Sequence, residues 1–204
     1  HLEAYSLIKN FFSDLGRRYN FVGESNIYAY CFFNSAIVLS GGTFILFFIF
    51  LSRLFLHVHD TNKKVCAQIA SFFGVIGGLS LMGVGLIPLD YNIELHKLCA
   101  SWTFRSFFPC TLIYAYVLLR SKRFSNVMAS SYLIWSIVVL CYVLSSELGP
   151  SSMGSNYGLM FQVIAQKLIV FSFVLNILLQ TLHLSYFFNK QKQLVKTQVS
   201  PVLK

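Results

Sequence analysis

The chain has 204 residues, of which 56% are hydrophobic, 17% aromatic and only 11% charged. Soluble domains carry roughly a quarter charged residues, so this composition, with a mean hydropathy of +0.65, excludes disordered, fibrous, coiled-coil and ordinary soluble globular classes. What remains is a polytopic membrane protein built as one domain.

The chain opens on His1, and its first residues lack the basic region and apolar run of a signal peptide. A cleaved leader or a further helix upstream is therefore expected. Residues 1–31 read as an interfacial segment on the outer side. Leu7, Ile8, Phe11, Phe12 and Leu15 recur at helical spacing with Lys9, Ser13 and Asp14 between them. That is the pattern of a short amphipathic helix lying in the interface, with Gly16 as its stop. A plain loop with aromatic anchors is the alternative.

A bilayer core needs about 20 mostly apolar residues per helix. Five runs qualify within residues 32–188, at 32–58, 65–89, 98–119, 127–148 and 157–188. Uncharged runs of this length leave no room for the short alternating strands of a β-barrel, so the expected fold is all-α, a polytopic transmembrane helical bundle. The fifth run is long enough to tilt or to pass the interface. In the second, Ala70, Gly74 and Gly78 stand four residues apart. Small residues at that spacing let helices approach closely in lipid, which predicts a helix in the middle of the bundle or at a subunit interface, with Gly41 and Gly42 of the first run as the facing notch. Asn176 and Gln180, one turn apart, are expected to hydrogen-bond to neighbouring helices.

The net charge of +9 is carried entirely at one end. Arg53, Lys63, Lys64, Arg120, Lys122, Arg123, Lys190, Lys192, Lys196 and Lys204 fall on one side with only Asp60 opposing, whereas the other side is balanced. Basic residues flanking short loops mark the cytoplasmic face, so residues 189–204 form a basic cytoplasmic tail that sets topology or holds anionic lipid. The same placement removes any argument for a nucleic-acid partner. Cys31, Cys66, Cys99, Cys110 and Cys141 lie singly, without metal-finger or redox spacing, and no metal or cofactor is expected. His57 and His59 read as interfacial, and His183 lacks partners for a haem or copper role.

The polar residues that remain gather at the outer end. Arg105 lies inside the third run and Lys167 inside the fifth, with Asp90, Glu94 and His96 in the loop after Pro88 and Glu147 at the top of the fourth. Ionisable groups at membrane depth face the bundle interior and find partners. Three readings are open: internal ion pairs that lock the helix ends; a pocket in which Arg105 and Lys167 bind an anionic headgroup or carboxylate; and catalysis by His96 and Asp90, as in an intramembrane lipid hydrolase. No HxxxH or HExxH pattern supports the last. An accessory subunit of a larger membrane complex is a fourth, non-enzymatic reading, in which the glycine face or the aromatic outer surface docks other subunits.

Tyr5-Ser6 through Ser13-Asp14-Leu15-Gly16, then Phe33-Asn34 opening a span, resemble a family of six-helix membrane proteins of unknown function common in bacteria and archaea. Pro88-Leu89-Asp90 followed by His96 is similar to that family's "P-x-D … H" loop, and Gln166-Lys167 to its amide-or-acid and base in the last helix. The family is related to the group that holds the damage-regulated autophagy modulators and a lipid-anchor remodelling factor. The resemblance implies a helix ahead of residue 1, six spans with both ends inside, action around membrane lipids, and Asp90, His96 and Lys167 on the outer side. Arg105 has no counterpart in it.

Overall fold

The computed structural model describes residues 5–56, 58–121 and 124–199, with side chains as far as Gln193. Those residues form five α-helices: α1 (Ile27–Arg53), α2 (Thr61–Leu86), α3 (Ile93–Leu119), α4 (Asn126–Leu148) and α5 (Asn156–Val199). A 3-10 turn, Phe12–Gly16, precedes them. There is no sheet among the described residues, only an isolated bridge between Tyr19 and Ser25.

The helices α2 and α3 start a few residues ahead of their apolar runs, where polar residues close their first turns, and α4 is capped in the same way. Asp60, Asn92 and Ser125 accept from the backbone N–H of Lys63, Leu95 and Met128, satisfying donors that a helix start leaves free. The Lys63 hydrogen bonds hold the Asp60 carboxyl below the usual carboxylate range. At the same end α1 stops at Arg53, earlier than its apolar run, in tight turns from Leu51 to Val58. His57 lies outside the described residues.

Successive helices pack antiparallel. The contacts Gly85–Asn34, Gly78–Gly41 and Gly74–Phe48 run down the α1–α2 seam, and Gly83–Cys99 and Gly77–Phe107 down the α2–α3 seam. A Cβ on Gly74 would run into the Phe48 ring, and one on Gly78 would lie 2.9 Å from the Gly41 carbonyl. The small-residue face of α2 is therefore packed inside the bundle, between α1 and α3. Gly41 does supply the facing notch, but Gly42 meets nothing within 4 Å.

At mid-depth the helices meet on an aromatic core. Phe44 of α1 lies 5.3 Å from Phe107 of α3 and 4.7 Å from Phe173 of α5, centroid to centroid, and Trp135 of α4 is 5.2 Å from Phe173. Deeper, Tyr114 stacks on Phe48 at 6.0 Å and its hydroxyl bonds to Ser71 Oγ, which also donates to the Phe48 carbonyl at 2.7 Å. Tyr132 Oη and Trp135 Nε1 are buried with no hydrogen-bond partner among the described residues. Asn176 and Gln180 are buried on α5, and the expected inter-helix bonds from their amides are absent among the described residues.

Four helices, α1, α2, α4 and α5 as far as Gln193, are long and apolar enough to cross a membrane. The third expected span, α3, is as long as α1 but falls short in apolar content. It carries Arg105, and its Pro109 cannot donate to the Arg105 carbonyl. It also buries Thr103, Ser106 and Thr111. Packed between α2 and α4, it turns those polar residues inward, while Leu98, Trp102, Leu112, Tyr116 and Leu119 keep an apolar face exposed.

Candidate functional site: the capped end of the bundle

Residues 5–26 fold over the end of the bundle where α1, α3 and α5 begin. The stretch is not one amphipathic helix lying flat. Leu7 and Ile8 point outward, whereas Asn10, Ser13 and Asp14 are buried. The Asn10 and Asp14 side chains turn inward onto partners within the cap itself. Asp14 accepts from the Phe11 N–H at 2.8 Å and from Arg17 Nε at 2.9 Å. Asn10 Oδ1 accepts from the Ser6 N–H at 2.7 Å. Tyr5 Oη donates to the Phe11 carbonyl at 3.2 Å, and burial, with the Asp14 charge adding, pushes its hydroxyl pKa up. Beyond the turn, Gly23 at φ +85° closes the loop between Tyr19 and Ser25, a conformation that favours glycine.

Four anchors tie this cap to the helices. Lys167 Nζ, buried on α5, donates to the Asn10 carbonyl at 2.5 Å, with the Phe12 and Tyr5 rings 5.1 and 5.6 Å away. The neighbouring Gln166 accepts from the Phe12 N–H at 2.8 Å. Asn34 of α1 donates to the Gly16 carbonyl at 3.0 Å, and Asp90 accepts from the Arg18 N–H at 2.8 Å. Gly16 serves close approach: a Cβ there would lie 2.6 Å from Asn34 Oδ1.

A cavity of about 530 Å³ opens beside the cap. Arg105 of α3 donates from Nε and Nη2 to Glu147 Oε1 of α4, at 2.9 and 2.6 Å. That contact sets the last turn of α4 against a point about 18 Å along α3, at 1.5 Å per residue. The first turns of α3 thus stand past the end of α4, and the cavity fills the step. Its polar lining includes His96, Lys97, Arg105 and Glu147, and its apolar lining Phe11, Leu89, Phe104, Tyr142 and Val143. His96 Nδ1 donates to the Ile87 carbonyl at 2.7 Å. Gln162 donates to the Ser145 and Pro150 carbonyls at 3.0 and 3.1 Å, which holds the α4–α5 connection beneath the cavity.

The six polar residues expected to form one cluster therefore divide into three groups. Arg105, Glu147 and His96 line the cavity. Lys167 and Asp90 hold the cap through its backbone and are not among the lining residues. Glu94 is exposed, 3.9 Å from Lys97. The expected pairing of Arg105 with Lys167 around one anion is thus replaced by an Arg105–Glu147 pair. Asn10, Asp14, Arg17 and Asn34 carry the cap but were not assigned site roles from sequence; a signal existed in the polar Asn34 opening an otherwise apolar run. Among the described residues no three His, Cys, Asp or Glu side chains come together as a metal site.

An all-helical bundle with long apolar helices, and its bonded polar groups gathered under a folded segment at one end, is a multi-pass integral membrane protein. The chain belongs to the Frag1/DRAM/Sfk1/Cwh43P N-terminal domain family, whose pattern matches residues 24–149. The match covers α1 to α4, including Asn34, Asp90, His96, Arg105 and Glu147. No curated protein and no solved structure matches the chain.

Proposed function

We propose that this protein holds a membrane lipid or a small anionic ligand in the cavity at the capped end, without carrying out a reaction on it. The observation that carries this reading is the cavity of about 530 Å³, lined by apolar and charged side chains together. Ligand sites are concave, mostly apolar and fitted with a few polar groups that fix orientation. Arg105 and Lys97 are the cations that line the site, and the planar guanidinium of Arg105 suits phosphate. Lys167 acts through the cap, keeping Phe11 and Ser13 in the wall. The positive-inside argument supports a cytoplasmic C-terminus, which puts the cavity in the outer leaflet.

Native mass spectrometry of the protein extracted from its own membrane in mild detergent tests this. The expected result is a single chain with a reproducible lipid-sized mass that is lost in Arg105→Leu. Stable co-purification with other subunits, and no bound mass sensitive to that change, would replace this reading with that of an assembly component.

A further inference from the structure

The charged lining of the cavity holds Lys97 and a pair of opposite charges, Arg105 and Glu147, with bonding capacity left over. Both Arg105 donors, Nε and Nη2, go to the same oxygen, Glu147 Oε1. Glu147 Oε2 and Arg105 Nη1 have no partner among the described residues. The pair is also far from sealed, with the two side chains 45% and 42% exposed. An anion bound to Arg105 would lie against the Glu147 carboxylate and be repelled by it. A ligand that brings its own positive charge would satisfy both groups.

The neighbouring rings fit such a positive group. Tyr142 and Phe104 line the same cavity and meet edge to face, 4.6 Å between centroids at 63°. Aromatic faces beside a carboxylate attract ammonium groups, quaternary ones above all. Leu89, Ala100 and Val143 continue the wall with purely apolar surface.

We infer, resting on the pocket reading above, that the ligand is a phosphate–ammonium zwitterion such as a phosphatidylcholine headgroup. Its phosphate lies on Arg105, and its ammonium lies between Glu147 and the Tyr142–Phe104 pair. The same chemistry exists in soluble phosphocholine, and the test separates the two sources.

The full chain in mild detergent is offered phosphatidylcholine and phosphatidylglycerol of matched acyl chains, and bound lipid is read by native mass spectrometry. The wild type should retain phosphatidylcholine about tenfold better than phosphatidylglycerol, a difference of one decade in affinity. Glu147→Gln should abolish that preference by weakening phosphatidylcholine alone, and Arg105→Gln should weaken both lipids. Tyr142→Leu, which leaves the ion pair in place, should lower phosphatidylcholine retention selectively; it stands in if either charge variant fails to fold. Displacement by soluble phosphocholine would support the headgroup alone as the ligand, and retention despite it would support the whole lipid. Preference for phosphatidylglycerol that is lost in Arg105→Gln would overturn the zwitterion and leave the pocket standing. Retention of neither lipid nor phosphocholine would overturn the pocket itself.

Discussion

The middle of the bundle and its capped end are held by different means. At mid-depth the contacts are matters of shape: Gly74 receives the Phe48 ring, Gly77 receives Phe107, and Gly41 and Gly78 bring two backbones together. At the capped end the contacts are polar, and nearly every one joins a side chain to a backbone group. Lys167 bonds to a carbonyl, as do His96 and Asn34, while Asp90, Asp14 and Gln166 accept from backbone N–H groups. In lipid no hydrophobic force drives helices together, so close packing and hydrogen bonds must do it. This chain relies mainly on packing in the middle, with the Ser71 bonds to Phe48 and Tyr114 added, and mainly on hydrogen bonds at the capped end. A segment with few apolar contacts can still be held at a membrane surface if its carbonyls and amides find charged or amide side chains.

The largest effect should come from breaking shape in the middle. In Gly41→Ala the new Cβ would meet the Gly78 carbonyl at 2.6 Å and the Met82 N–H nitrogen at 2.7 Å. Both are backbone, so α1 and α2 would have to separate, at a cost of about 2–3 kcal/mol. Gly42→Ala, with nothing within 4 Å, should instead gain up to about 1 kcal/mol from helix propensity. Thermal denaturation of the two variants in the same detergent compares them directly. Equal melting temperatures would mean that the glycine seam does not decide how α1 and α2 approach.

A smaller and more local effect is expected at the cap. Lys167→Met keeps most of the length of the side chain but takes the charged donor from the buried Asn10 carbonyl, which keeps only the Tyr5 hydroxyl at 3.4 Å, a loss worth roughly 1–3 kcal/mol. That loss should fall on residues 10–16 alone. Hydrogen exchange there should speed up while α1 to α4 keep their protection, since local opening draws only on local contacts. A uniform loss of protection across the bundle would make cap and helices one cooperative unit and erase the distinction between the two regions.

The two regions also differ in how much of them was legible. The mid-bundle seam was readable because glycines at a spacing of four and long apolar runs depend on the sequence alone; Ala70, Gly74 and Gly78 do face inward. The all-α class followed from the same runs. Their margins were less readable. Asp60 and Asn92 start their helices ahead of the apolar stretch, and α3 is more polar than the other long helices because its buried side carries Thr103, Ser106 and Thr111 opposite an exposed apolar face. At the capped end the sequence showed which residues are polar but not their partners. Reading charge against charge joined Lys167 to Arg105 and left Asp14 in a surface helix. A backbone carbonyl has no letter of its own, so a lysine that bonds to Asn10 through its main chain cannot be read from residue types. Contacts between two side chains, Arg105–Glu147 and Arg17–Asp14, were within reach of that logic.

The Arg105–Glu147 contact also gives the smallest predicted effect on stability. Arg105 and Glu147 are nearly half exposed, and ion pairs of that kind contribute about 0.2–1 kcal/mol. A double-mutant cycle with Arg105→Gln and Glu147→Gln should return a coupling in that range, falling further at high salt as screening grows. The Lys167 bond, enclosed beneath the Phe12 and Tyr5 rings, should be far less sensitive to salt. A large, salt-insensitive Arg105–Glu147 coupling would place the pair among the structural anchors and leave it little freedom to turn toward a ligand. A weak one means that the pair contributes little to the fold and that a zwitterion can replace each partner at small energetic cost.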